Sequence, residues 1–337
     1  MEATHKIMTL EPPTDKTRIY SVQNLRGIAA LMVCIFHLTS NLNIIDPLKR
    51  VSIFGYLGVQ IFFVISGFVI PWSLYNEHYK LKNFFSYLLK RFTRIEPPYV
   101  VSIFLFLFLN YLAAKTGIYR GAPFLLDIKQ LLLNIVYLPK CFGFNWIQPV
   151  YPTLLVEFQF YILIGLIFPL LKSDKKLIIY GIVAVFIAAS YLLPVTIFSF
   201  IDLFLIGIIY FKYRIGHLKS YEFWILEITI MTFTWSTNPD LCVGAAELVS
   251  LIAIIYWDSA NKITQFLGKI SYSLYLIHVP IGGKIINFGN RYAHSISINY
   301  LIIIIALTVS IICSWIFYTL VELPSIKLSK QVIKNYS

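Results

Sequence analysis

Residues 24–37 read NLRGIAALMVCIFH, an apolar run with an arginine near its start and a histidine eleven positions later. At about 100° per residue, eleven steps return to within roughly 20° of the starting direction, and at about 1.5 Å per residue they climb roughly 16 Å. Arg26 and His37 therefore share one helix face, one at a membrane edge and the other deep inside. Arginine in hydrocarbon costs on the order of 2.5–3.5 kcal/mol even on a mild scale, and a buried imidazole needs partners. This face is expected to look into protein or a polar cavity, as the wall of a reaction chamber.

The surrounding composition agrees with that placement. The 337 residues are 58% hydrophobic and 13% charged, with mean hydropathy +0.75, a balance that suits a polytopic membrane protein and not a soluble globule. Backbone polar groups in lipid must satisfy one another, so the expected fold class is all-α, a membrane helical bundle. Spans of about 20 apolar residues fall at 24–43, 53–75, 97–115, 152–171, 177–193, 197–211, 221–236, 241–257, 270–288 and 299–320. The short ones imply tilt or local thinning. Residues 1–23 hold no apolar core of signal-peptide type, so the first helix reads as an uncleaved anchor.

The formal net charge of +12 would point to nucleic acid in a soluble chain, but here it follows topology. With the amino terminus inside, nineteen of the 28 Lys and Arg fall on that side, seven on the other counting Lys115 at the end of the third span, and Arg26 and Lys284 lie within spans. Both termini are thus expected in the cytoplasm, with no nucleic-acid partner. The reading is one membrane domain over 24–324, with cytoplasmic tails at 1–23 and 325–337. Cys34, Cys141, Cys242 and Cys313 lack CxxC spacing, which speaks against a metal site or a redox pair.

Two loops exceed what connection requires, 76–96 and 116–151. In the first, Phe84, Leu88, Phe92 and Ile95 fit a helix lying on the membrane surface, with Pro97 and Pro98 breaking it from the next span. Arg91 and Arg94, three apart, can reach one ligand. They read equally as a phosphate clamp or as a positive anchor for lipid head groups. In the second, Tyr119, Phe124, Tyr137, Phe142, Phe144, Trp146 and Tyr151 are either an interfacial belt or faces for sugar rings.

Within the spans, Gly55, Gly58, Ser66 and Gly67 read first as helix packing. Glu157, about one and a half turns inside the fourth span, suits an acceptor site or a structural ion pair. Asp202, Glu227, Glu247 and Lys284 are candidate partners for Arg26 or for other helices. Tyr272, Tyr275 and His278 are neighbours on one helix surface. His278 is either a second catalytic group or a packed histidine, and Glu322 of VELP reads as an ion pair at a helix stop.

Together these stretches resemble the acyltransferase family 3 of integral membrane O-acyltransferases. The likeness runs from Arg26 and His37 through FFVISGF (62–68), KRFTRIEPPY (90–99), VEFQFY (156–161) and SYSLYLIHVP (271–280) to VELP. It implies a ten-helix core that takes an acyl group, usually acetyl, from cytoplasmic acyl-coenzyme A. The group goes to a hydroxyl of an extracytoplasmic glycan such as O-antigen or exopolysaccharide, in a bacterial inner membrane. The resemblance assigns Arg26 and His37 to the active site and Arg91 and Arg94 to coenzyme A. Ser66, Gly67, Phe68, Glu157, Tyr275 and His278 are supporting or acceptor-side candidates. Members usually carry two adjacent acidic residues in the fourth span, and here Phe158 follows Glu157. The chain is expected to lack the extra helix and fused esterase-like domain of some members.

An unperturbed imidazole titrates near ~6.5, so neutral His37 is available as a general base, and an acyl-histidine is the chemical alternative. The competing class is a transporter or flippase using the same intramembrane charges for a polar solute. It accounts less well for the RxxR loop.

Overall fold

The structure is a computed structural model that describes residues 20–116, 126–193, 196–237, 240–257, 259, 261–292 and 295–334. Most of the expected N-terminal tail, and Tyr119 and Phe124, lie outside the described residues. Every described secondary element is helical: α1 Tyr20–Leu38, α2 Pro47–Ser52, α3 Leu57–Asn76, α4 Phe84–Lys115, α5 Ile128–Ile135, α6 Pro152–Leu171 and α7 Lys176–Leu192. These are followed by α8 Ile201–Arg214, α9 Ser220–Thr237, α10 Leu241–Tyr256, α11 Lys262–Lys269, α12 Ser271–Gly289, α13 Ile296–Phe317 and α14 Leu323–Lys334, with short 3₁₀ turns and one π turn between them. Each expected span overlies a helix.

Among the described residues six helical stretches are long and apolar enough to cross a membrane, and α7 and α10 are shorter apolar helices. By length and composition this is an integral multi-pass membrane protein.

The helix carrying Arg26 and His37 is central, packing against α3, α10, α11, α12 and α13. Small residues allow this. A Cβ on Gly27 would stand 2.6 Å from the Thr264 carbonyl of α11, and one on Gly67 would collide with the Phe204 carbonyl of α8. Asn24 fixes the start of α1. Its amide donates to the Ser259 carbonyl at 2.9 Å, and its oxygen accepts from Thr264 Oγ1 at 2.6 Å and Gln265 Nε2 at 2.7 Å.

Three local expectations change. Pro97 and Pro98 do not break the chain, because α4 runs unbroken from 84 to 115. Two prolines remove only two ladder donors, α14 packs along α4, and Tyr272 Oη donates to the Ile95 carbonyl at 2.9 Å beside the proline turn. Arg91 and Tyr87 are buried against other helices, so this segment is not a simple surface helix. Nor does the chain stop at VELP, since residues 318–322 form a π turn that continues into α14.

The described part of the second long loop, residues 126–151, is folded and not a belt alone. Asn134 donates to the Gln130 and Asn145 carbonyls and accepts from Ile147 N. Tyr137 stacks on Tyr99 at 4.7 Å and donates to Glu96 at 3.0 Å, while Tyr151 is fully buried. Phe142 remains exposed.

Candidate active site

Two adjoining cavities lie beside α1. The first holds about 560 Å³ of empty space, and Arg26, Arg91 and Arg94 line it together with Ser66, Glu157, Tyr161, Tyr272 and Glu322. The second, about 520 Å³, is lined by Arg26, Phe62, Ser66, Thr153, Glu157 and Tyr275, among others. Arg26, Ile65, Ser66, Glu157 and Tyr272 belong to both walls. The two spaces therefore meet where α1, α3, α6 and α12 face one another.

The first chamber gathers three guanidinium groups and two carboxyls with no direct ion pair between them. Among the described residues the ion pairs are Lys90–Glu77 and Lys176–Glu222, so none of the three chamber arginines is in one. Arg91 sits between the Tyr87 and Tyr161 rings, its guanidinium carbon 5.6 Å from each centroid, and donates to Ser73 Oγ at 3.3 Å. Its Nε has no partner. Arg26 Nε donates to Ser271 Oγ at 3.4 Å.

The two carboxyl groups in the same walls are held by other donors. Glu157 accepts from the hydroxyl of Tyr161, one helical turn away. Glu322 accepts from Ser273 N at 3.2 Å and Ser273 Oγ at 2.5 Å. The ion pair expected for Glu322 is replaced by this cap on the first turn of α12. The three guanidinium groups outnumber the two carboxyls in these walls, and their forked donors match the geometry of phosphate oxygens.

His37 does not line either of these two chambers. Its ring lies 5.2 Å from that of His278, which is fully buried, so the imidazole faces α12. His278 Nδ1 is 2.8 Å from the Leu274 carbonyl, which can only accept. That bond puts the proton on Nδ1 and leaves Nε2, which has no partner, as a lone pair. Tyr275 links the pair to the second chamber. Its ring is 6.2 Å from His278 and 6.0 Å from Phe62, and its hydroxyl pairs with Thr153 Oγ1 at 2.5 Å. Phe62 also packs against the cluster containing Cys34 and Leu38. The Phe62 and Tyr275 rings are thus the partition between the chamber and the histidines.

Gly67 and Phe68 are placed in packing. Gly67 meets the α8 backbone, and Phe68 is fully buried against Trp72 and Tyr210. Asp202, Glu227, Glu247 and Lys284 line neither chamber. Lys284 is bonded to Asn110 instead. The sequence reading passed over Tyr161 and Glu96. The four-residue offset of Tyr161 from Glu157 was its available signal, whereas the Glu96–Tyr137 contact crosses from a loop and had none.

A family model described as an acyltransferase domain matches residues 19–319. The chain belongs to the acyltransferase 3 family. Among its relatives, a provisionally named O-acetyltransferase of Staphylococcus aureus (strain COL) is 26% identical over 91% of this chain and 57% of its own length. The chain thus spans little more than half of that protein. A provisionally named acetyltransferase of Acidianus two-tailed virus is 29% identical over 77% of this chain and 82% of its own. Acyltransferase MdmB of Streptomyces mycarofaciens is 27% identical over 48% of this chain and 42% of its own. No solved structure matches the chain. Membership in the acyltransferase 3 family implies an acyl donor.

Proposed function

We propose that this protein is a ten-span O-acyltransferase of a bacterial inner membrane, with both termini cytoplasmic. It moves an acetyl group from cytoplasmic acetyl-coenzyme A to a hydroxyl of an extracytoplasmic glycan. The observation that carries this reading is the convergence of Arg26, Arg91 and Arg94, free of ion pairs, on one chamber that Glu157 and Tyr272 also line. The O-acetyltransferase names of the staphylococcal relatives support acetyl as the group and a hydroxyl as its destination.

In this scheme Arg91 and Arg94 hold the phosphates of the donor, and its pantetheine arm passes Arg26 and Ser66 into the second chamber. Movement of the Phe62 ring admits the thioester to His37. The imidazole takes the proton from the acceptor hydroxyl as that oxygen attacks the carbonyl carbon. The C–S bond then breaks, and the thiolate leaves with the proton that the imidazolium returns. A general base of this kind contributes about 10²–10⁴ in rate. His278 orients His37, and Glu157, at the junction of the two chambers, orients the acceptor.

The test is acetyl-coenzyme A consumption by purified protein with a cell-envelope glycan, set beside ester analysis of that glycan from cells with and without the gene. A glycan ester that disappears with the gene, and thioester turnover that disappears in His37→Ala, are expected. Equal turnover in wild type and His37→Ala removes the base from the scheme.

A further inference from the structure

A third cavity, about 670 Å³, lies apart from both chambers, between the first turn of α3 and the adjoining ends of α8, α9 and α10. Its walls include the polar side chains of Gln60, Ser199, Asp202, Thr234 and Thr237 and the ring of Phe200. It opens at the end of the bundle where α1 finishes, because α3 begins directly after that end. The hydroxyl of Tyr56 bonds Asp240 and ties the start of α3 to the start of α10. The arginine chamber lies toward the opposite end, around the first turns of α1 and α12. The cavity is therefore on the side from which the reading above brings the acceptor.

Two features of the wall call for a polar occupant. Gln60 Oε1 and Asp202 Oδ1 are enclosed and have no hydrogen-bond partner, an arrangement that costs about 1–3 kcal/mol per group unless something fills it. Behind them stand Glu247 and Glu227, fully buried, with all four carboxyl oxygens unpartnered. Among the described residues no arginine or lysine lines this cavity, so a phosphate or carboxylate ligand would find no cation there. Hydroxyls, an amide oxygen and a carboxyl beside an aromatic face are the chemistry that holds a neutral polyol ring, with polar edges and an apolar face.

The cavity also abuts the reaction chamber. Phe63 lines the second chamber, Phe200 lines this cavity, and their ring centroids are 5.2 Å apart. Gln60 is one turn before Phe63 on α3, so a single turn of one helix separates the two spaces.

We propose that this cavity is a sugar subsite, holding a hexose of the acceptor next to the one that receives the acyl group. The inference rests on the acceptor being a glycan. Asp202 and Gln60 fix the ring by its hydroxyls, Phe200 carries its apolar face, and the Phe63–Phe200 contact is where the acceptor passes into the chamber.

The experiment is saturation-transfer NMR of the full-length protein in nanodiscs, with glucose and N-acetylglucosamine as probes. Wild type is compared with Asp202→Asn and with Ser199→Trp, which fills the cavity from an exposed position. Saturation of the sugar protons by wild type is expected, with apparent affinity about tenfold weaker in Asp202→Asn, as loss of a charged hydrogen bond implies. The signal should vanish in Ser199→Trp, and coenzyme A affinity should be unchanged in both. No transfer to either sugar, or equal transfer in all three proteins, overturns the subsite. If sugar binding depends on the cavity while no glycan ester depends on the gene, the cavity binds sugar but its role as an acceptor subsite is overturned together with the glycan reading. If the ester depends on the gene while sugar binding ignores the cavity, only the subsite falls.

Discussion

The rings of His37 and His278 stand 5.2 Å apart, joining the first apolar helix to the twelfth. His278 is anchored by its Nδ1 to the Leu274 carbonyl, so it meets His37 from a fixed position. If His37 is the base and His278 its support, His37→Ala lowers acetyl transfer by about 10²–10⁴. His278→Ala should give a smaller loss, largely restored in His278→Phe, which keeps a ring against His37. Coenzyme A affinity, measured by titration calorimetry, should be the same in all three variants.

Arg91 and Arg94 have different surroundings, although they are three residues apart. Arg91 is buried between two tyrosine rings, and Arg94, half-buried, is in no ion pair among the described residues. Replacing either by Ala should weaken acetyl-coenzyme A binding about tenfold or more, the value of one hydrogen bond to a charged group. Arg91→Ala should also lower thermal stability through lost packing, whereas Arg94→Ala should not. Binding to wild type should weaken as salt is raised, and less steeply in the double variant.

Glu157 faces both chambers while its carboxyl is occupied by Tyr161. Glu157→Gln keeps the volume and removes the charge. Transfer to the glycan should fall with donor affinity preserved, and Tyr161→Phe, which frees the carboxyl, should raise the acceptor KM without matching the loss in kcat. Normal glycan acylation by Glu157→Gln would return this residue to structure.

The α3–α8 contact depends on Gly67, whose missing side chain lets the Phe204 carbonyl approach. Gly67→Val should destabilise the protein by about 1–3 kcal/mol or more, because overpacking here meets backbone and not a side chain that can turn aside. Gly181, in α7, has open space where a Cβ would go, so Gly181→Ala should hold or raise the unfolding temperature.

At the loop between α8 and α9, Gly216, at φ +78°, reverses the chain so that His217 N bonds the Lys212 carbonyl at 3.1 Å. Lys212 Nζ donates to His217 Nδ1 at 2.9 Å. Burial, and then the neighbouring Lys212 charge, hold His217 below its ordinary value of 6.5, against the opposing Ser173 carbonyl and Asp174. A folded-state value below the unfolded one means that this latch stabilises the protein above about pH 6.5 and is lost as pH falls through the lowered value. The unfolding temperature of wild type should decline with acidification over that range. The decline should be shallower in His217→Gln, whose amide oxygen accepts from Lys212 at any pH.

The sequence by itself determined what depends on local chemistry and regular spacing. Apolar runs of membrane length located the helices, and eleven-residue spacing put Arg26 and His37 on one face of α1. The three-residue offset made Arg91 and Arg94 a pair. Tertiary structure decided what depends on which surfaces meet. It brought Arg26 to the RxxR pair, gave His37 a buried partner in His278, and capped α12 with Glu322. It also let α4 continue through Pro97 and Pro98, where α12 and α14 pack against it. It sent Asp202, Glu227 and Glu247 to a separate region, although on polarity alone each was a candidate partner for Arg26. A helix face is written in its own residues, but the surface opposite that face comes from a segment hundreds of residues away, and no local period encodes it.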